Sequence, residues 1–103
     1  MAKQMSERVI AANQELGEQL RTWRKLLDLT LEQVASRAGI ARSTLQRIEK
    51  GDGGVSIQAV LSVARALGIL NKIIQATNPY ETEYGRARAD HKLPKRVRSS
   101  QEA

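Results

Sequence analysis

Four side chains between Ala41 and Lys50 concentrate the hydrogen-bonding chemistry of this sequence: Arg42, Ser43, Gln46 and Arg47. At helical spacing they fall on one side, while Leu45 and Ile48, three residues apart, fall on the other. Arginine can pair with guanine O6 and N7, and glutamine can pair with adenine. Such a face therefore has the donors and acceptors to read base edges in a DNA major groove. A charged helix face is more often only a solvated surface, so the weight of this reading rests on the surrounding residues.

Those residues supply the elements that would hold the face in place. The Thr30 hydroxyl and the Gln33 side chain, three positions apart, make a capping box ahead of the apolar run Leu31, Val34, Ala35 and Ala38, which predicts a helix from about Leu31. Gly39 can take a positive φ without steric cost, ending that helix and letting Ile40 tuck between it and the next. Two short helices joined at one glycine, the second with a polar outer face, make a helix-turn-helix pattern. Upstream, Leu16, Leu20, Trp23 and Leu27 recur as one apolar stripe. Downstream, Ser56 caps a fourth helix with Ile57, Val60, Leu61, Ala64 and Leu67 inside, and Gly68 ends it. A fifth helix, Ile69 to Ala76, is stopped by Asn78-Pro79. Its Ile69, Leu70, Ile73 and Ile74 exceed one narrow stripe, which leaves core packing or a dimer seam as their use. Gly51-Asp52-Gly53-Gly54 lacks the lysine and hydroxyl of a phosphate-binding loop and reads as a flexible link to the fourth helix.

Composition narrows the function classes. At 103 residues with 41% hydrophobic content and no Phe, the chain supports one small domain with tails, its core built from Leu, Ile, Val and Ala. The absence of Cys excludes disulfides and thiol chemistry, and the single histidine, His91, has no partner for acid-base catalysis or metal ligation. No active site, metal or cofactor is expected. No apolar run approaches the ~20 residues of a membrane span, and Met1 to Asn13 does not read as a secretory signal, so a cytoplasmic, nucleoid-associated location is the expectation. The formal charge of +6 favours an anionic partner. Between Gly85 and Arg98, the cations Arg86, Arg88, Lys92, Lys95, Arg96 and Arg98 stand against Asp90 alone. This stretch carries +5 and leaves +1 for the rest of the chain. With Pro94 and few large apolar residues, the segment reads as a flexible or partner-ordered arm. Laid along DNA and neutralising about five phosphates, it would make binding roughly 500-fold weaker between about 50 and 200 mM salt; the alternative is a solubilising tail. The sequence around SERVIAAN predicts a helix from Met5 to Asn13 that either extends the first helix or packs on a partner.

From Leu16 to Ile74 the chain resembles the phage repressor and Cro-like (XRE-type) helix-turn-helix family. The matching residues are Leu20, Arg24, Leu29, Thr30, Glu32, Val34, Ala35, Gly39, Ile40, Leu45, Ile48, Glu49, Gly51, Ile57, Leu61, Ala64, Leu67 and Gly68. The resemblance implies an all-α, compact five-helix, lambda-repressor-like DNA-binding domain over residues 14–77. An N-terminal arm or helix extension (1–13) precedes it and a basic C-terminal tail (78–103) follows. It also implies that Arg42, Ser43, Gln46 and Arg47 read bases and that Thr30, Leu31 and Lys50 lie at phosphates. Arg24 and Glu49 would form a partly buried ion pair, and Ile69, Leu70, Ile73 and Ile74 would lie in a dimer interface. Three positions depart from the family pattern. Leu31 replaces a polar phosphate contact, Ala41 replaces a hydroxyl cap at a cost of about 1 kcal/mol, and Asp28 stands where glycine is common.

The tail is similar to that of HipB-like antitoxins, through Pro79-Tyr80-Glu81, Gly85-Arg86-Ala87-Arg88-Ala89 and Leu93-Pro94-Lys95-Arg96-Val97-Arg98. That likeness implies an autoregulating repressor that binds a palindromic double-stranded DNA operator as a homodimer and also holds a HipA-type kinase toxin. The alternatives are a phage-type or plain regulator without a toxin, and a protein-interaction scaffold with weak DNA binding.

Overall fold

Twenty residues, Glu7–Leu26, form one uninterrupted helix, α1, capped by the Ser6 hydroxyl accepting from the Arg8 amide at 3.1 Å. Of the expected Met5 to Asn13 helix, the part from Glu7 is thus the start of α1. The computed structural model describes residues 4–93. Within them follow α2 (Leu31–Ala38), α3 (Arg42–Glu49), α4 (Ile57–Ala66), α5 (Leu70–Ala76), a 3-10 turn (Pro79–Glu81) and α6 (Glu83–Lys92), with no strand among the described residues. Among the described residues there are six α-helices, and the sixth, α6, lies in the stretch expected to be a basic tail. The chain divides into two compact units, Met1–Leu70 and Asn71–Ala103.

In the first unit, Leu20, Val34, Ala35, Leu45, Ile48, Val63 and Leu67 form a contiguous buried core, and Val34 and Leu45 are wholly excluded from solvent. The exits of α1, α2 and α4 feed it. At Asp28 (φ 58) and Gly39 (φ 71) the backbone turns left-handed. The next residue then donates back into the helix, Leu29 to the Arg24 carbonyl and Ile40 to the Ala35 carbonyl, both at 3.0 Å. This Schellman closure satisfies end carbonyls and folds the following apolar side chain inward. Leu29, Ile40 and, after Gly68, Ile69 all pack on the core in this way.

The inward stripe of α1 differs from the expected one. Gly17, Leu20 and Arg24 are buried, whereas Leu16, Trp23 and Leu27 are each about two-fifths exposed. Leu16 and Trp23 sit one position, about 100° of helix rotation, from Gly17 and Arg24. The buried stripe includes a glycine and an arginine that a search for large apolar residues passes over. Ile57, expected inside, is 74% exposed. It is the first residue of α4, and its side chain leans toward the helix N-terminus and past its end.

Arg24 closes the first unit. Its Nε and Nη2 donate to Glu49 Oε2 and Oε1 at 2.8 and 3.1 Å, and its Nη1 donates to the Leu29 carbonyl at 3.1 Å. The two side chains keep only 10% and 7% of their surface exposed. The Glu49 hydrogen bonds hold the guanidinium above its ordinary pKa against the opposing pull of burial. Gly17 makes the approach possible: a Cβ there would sit 2.5 Å from the Ile48 carbonyl oxygen and 2.7 Å from that of Glu49. Alanine favours helices over glycine by roughly 1 kcal/mol, yet Gly17→Ala is expected to lower unfolding free energy by about 1–3 kcal/mol, because the clash is with backbone at the end of α3. Denaturant titration measures it; an unchanged or raised midpoint would refute the close approach. Glu49→Gln, which leaves Arg24 charged with a weaker partner, is expected to cost about 3 kcal/mol by the same assay. A loss under about 0.5 kcal/mol would mark the pair as a solvent-screened bridge.

Candidate nucleic-acid interface

α3 begins at Ala41 without a side-chain cap, as its residue type dictates, and runs only eight residues. Its apolar side, Leu45 and Ile48, is buried. The opposite side presents Arg42, Ser43, Gln46 and Arg47 to solvent, and Lys50 follows, exposed, at the C-terminal cap. The four side chains singled out from sequence therefore share one accessible face.

Both arginines of that face stand beside carboxylates. Arg42 Nε lies 3.1 Å from Glu32 Oε2, with both side chains more than half exposed. Arg47 is held more closely: Nε donates to Asp52 Oδ2 at 2.7 Å while the Gly54 amide donates to Asp52 Oδ1 at 2.8 Å. The hydrogen bond from Arg47, helped by that from Gly54, holds the Asp52 carboxyl below its ordinary pKa, and the same pairing raises Arg47. Gly51, at φ 82, makes another Schellman end, with the Asp52 amide on the Arg47 carbonyl at 3.0 Å. Here the following residue is acidic, and it packs on its helix through charge instead of through an apolar contact. The Gly51–Gly54 segment, expected to be a flexible link, is thus a hydrogen-bonded turn. In the sequence Glu32 is only a position matching the family and Asp52 only part of the link, so neither is expected to partner an arginine.

The start of α2 has the capping box in full. The Gln33 amide donates to the Thr30 hydroxyl at 3.0 Å and the Thr30 amide to Gln33 Oε1 at 2.8 Å. The Leu31 side chain packs on the core, so what it offers outward is its backbone amide at the positive end of a helix. A cleft of ≈ 380 Å³ joins this end to α1 and α3, lined by Glu18, Arg21, Arg24, Leu31, Gln46, Glu49 and Lys50. Arg21, on an exposed turn of α1, is a further cation at this cleft that sequence reasoning did not single out.

In the second unit, α6 occupies Glu83–Lys92, where a flexible or partner-ordered arm was expected from Gly85. Thr82 caps it by accepting from the Gly85 amide at 2.9 Å, and Gly85 lies so close to the Pro79 carbonyl that a side chain there would collide with it. Arg86 Nη1 donates to the Tyr80 carbonyl at 2.6 Å and Arg88 stacks 5.8 Å from the Tyr84 ring centre. Lys92 ends α6 exposed, while Lys95, Arg96 and Arg98 lie outside the described residues. Of the residues expected in a dimer seam, Ile69 packs on the core of the first unit, Leu70 and Ile73 are half-buried, and Ile74 is 53% exposed. No group of three or more His, Cys, Asp or Glu that could hold a metal occurs among the described residues, and no described helix is long and apolar enough to cross a membrane.

Residues 15–70 match the helix-turn-helix domain family. The chain is similar to the HTH-type transcriptional repressor RghR of Bacillus subtilis, 33% identical over 82 residues that cover 68% of this chain and 61% of that protein. It therefore spans about three-fifths of that relative's length. It is also similar to an uncharacterized HTH-type transcriptional regulator of Methanothermobacter thermautotrophicus, 43% identical over 49 residues covering 48% of this chain and 71% of the relative. A buried-backed polar helix after a left-handed glycine turn, on residues that match one family across more than half the chain, places this protein in the helix-turn-helix domain family.

Proposed function

We propose that this regulator is a sequence-specific repressor that docks α3 in the major groove and reads a twofold-symmetric operator as a homodimer, with half-sites about 34 Å apart. The observation that carries the reading is the two-sidedness of α3. Leu45 and Ile48 are buried beneath it, while Arg42, Ser43, Gln46 and Arg47 are exposed together. Thr30, the Leu31 amide and Lys50 flank that face as phosphate contacts. The exposed Ile74, with Leu70 and Ile73, forms the dimer seam. The Bacillus relative is a transcriptional repressor by name, which supports repression as the outcome of binding.

Selection from a randomised duplex library is expected to yield palindromes. Arg47→Ala is expected to cost about 1–3 kcal/mol on the selected site and to blur preference at one position per half-site, while Lys50→Ala weakens selected and random duplex alike. Equal loss on both duplexes for Arg47→Ala would remove it from base reading, and selected sites without symmetry would remove the dimer.

A second reading adds a toxin. The alanine- and arginine-rich segment that resembles HipB-like antitoxins, Gly85 to Ala89, lies within α6, which gives it a fixed helical surface suited to a protein partner. On this reading the repressor also holds a HipA-type kinase and regulates the operon encoding both. Co-expression with the kinase encoded beside it is expected to give a stable complex that survives size-exclusion chromatography. Separate elution of the two chains would leave a repressor without a toxin.

A further inference from the structure

We propose that Asp52 is a positioning residue for base reading, which fixes Arg47 so that the C-terminal part of α3 meets DNA as a prearranged arginine-aspartate pair. The proposal rests on the reading of α3 as the DNA-facing helix. Three bonds hold the pair: the Asp52 amide to the Arg47 carbonyl at 3.0 Å, Arg47 Nε to Oδ2 at 2.7 Å, and the Gly54 amide to Oδ1 at 2.8 Å. Both carboxylate oxygens are thereby engaged and the carboxylate plane is set by backbone. Gly54 leaves room for the guanidinium, since a Cβ there would lie 3.0 Å from Arg47 Nη2.

Two consequences follow for an arginine held in this way. With Nε taken, the remaining Nη pair is the end of the fork that can span guanine O6 and N7. The side chain is ordered before DNA arrives, so less conformational freedom is lost on contact. The Asp52 charge also offsets that of Arg47, so a purely phosphate-directed contact gains little from this arginine. The pair therefore favours the right base over any backbone. Arg42 provides the contrast. Its acid, Glu32, lies farther away at 3.1 Å, is 65% exposed, and has no anchoring backbone amide among the described residues.

The test compares selection profiles and random-duplex affinities of wild type, Arg47→Ala, Asp52→Ala, Asp52→Asn, Glu32→Gln and the double variant Arg47→Ala/Asp52→Ala in the full chain. Asparagine can keep the turn bond to Gly54 but loses the charged acceptor for Arg47. Glu32→Gln removes one negative charge without touching Arg47. Both Asp52 variants are expected to lose about tenfold of the preference at the base that Arg47→Ala blurs, with random-duplex affinity equal or higher, and Arg47→Ala/Asp52→Ala is expected to look like Arg47→Ala alone. The proposal is overturned if either Asp52 variant keeps that preference. It is equally overturned if Asp52 variants lose preference evenly at all positions, or if Glu32→Gln loses it at the same base. A wild-type protein that selects no sequence at all would instead sink the reading of α3 itself, which separates the two failures.

Discussion

The guanidinium of Arg24 is the joint on which the first unit depends. One planar group binds the last residue of α3 through two hydrogen bonds and the exit of α1 through a third. It therefore fixes where the proposed reading helix ends relative to the helix before it. A buried ion pair returns its desolvation cost only when its geometry is good and its remaining donors are satisfied. The fork-to-carboxylate match and the Leu29 carbonyl meet that condition. Gly17 belongs to the same device, because it sits two helical turns before Arg24 on the same stripe and lets the backbone of α1 lie against the carbonyls of Ile48 and Glu49. The absence of a side chain at one position and a charged one at the next thus set a single distance.

Repetition of one helix ending builds the rest. Left-handed residues at Asp28, Gly39, Gly51 and Gly68 each close a helix, and each is followed by a residue whose contact fixes the exit direction. Leu29, Ile40 and Ile69 point that residue into the core. At Gly51 the residue is Asp52, and its contact is Arg47 on the exposed face. The same backbone geometry therefore serves packing in three places and organises the surface in the fourth. Exchanging an apolar residue for an acid changes which side of the helix the exit supports.

Those exits explain what could be read in the sequence. The capping box of Thr30 and Gln33, the turn at Gly39, the left-handed Asp28 and the Arg24 and Glu49 pair are set by residues close in sequence or by a resemblance that covers them, and the structure has each in place. The burial of α1 was misread because its inner stripe is defined by the partner backbone, which no periodicity of apolar residues reports. Asp52 was passed over because glycines on both sides suggest mobility, while its ordering comes from the spacing to Arg47 across a Schellman turn. α6 escaped because its ten residues have no apolar side, and helices of that length are marginal unless something local holds them. The holding elements are the Thr82 cap and the packing of Gly85 on Pro79. Both use small or polar residues that resemble loop composition.

The way each arginine is partnered also divides the electrostatics. On the α3 face Arg42 and Arg47 stand against carboxylates, which cancel much of their field at a distance while leaving donors free at close range. Arg86 and Arg88 are engaged by a neutral carbonyl and an aromatic ring, which orient them and leave their charge intact. Attraction to phosphate depends on uncancelled charge and reports no sequence, whereas discrimination between bases depends on donors aimed at short range. In a repressor of the proposed kind, sensitivity to salt would therefore follow its phosphate contact Lys50, and sensitivity to base identity would follow the paired arginines of α3. Merging the two, with unpaired arginines on α3, would raise affinity for every duplex along with the operator and so narrow the margin by which one site is distinguished from the rest.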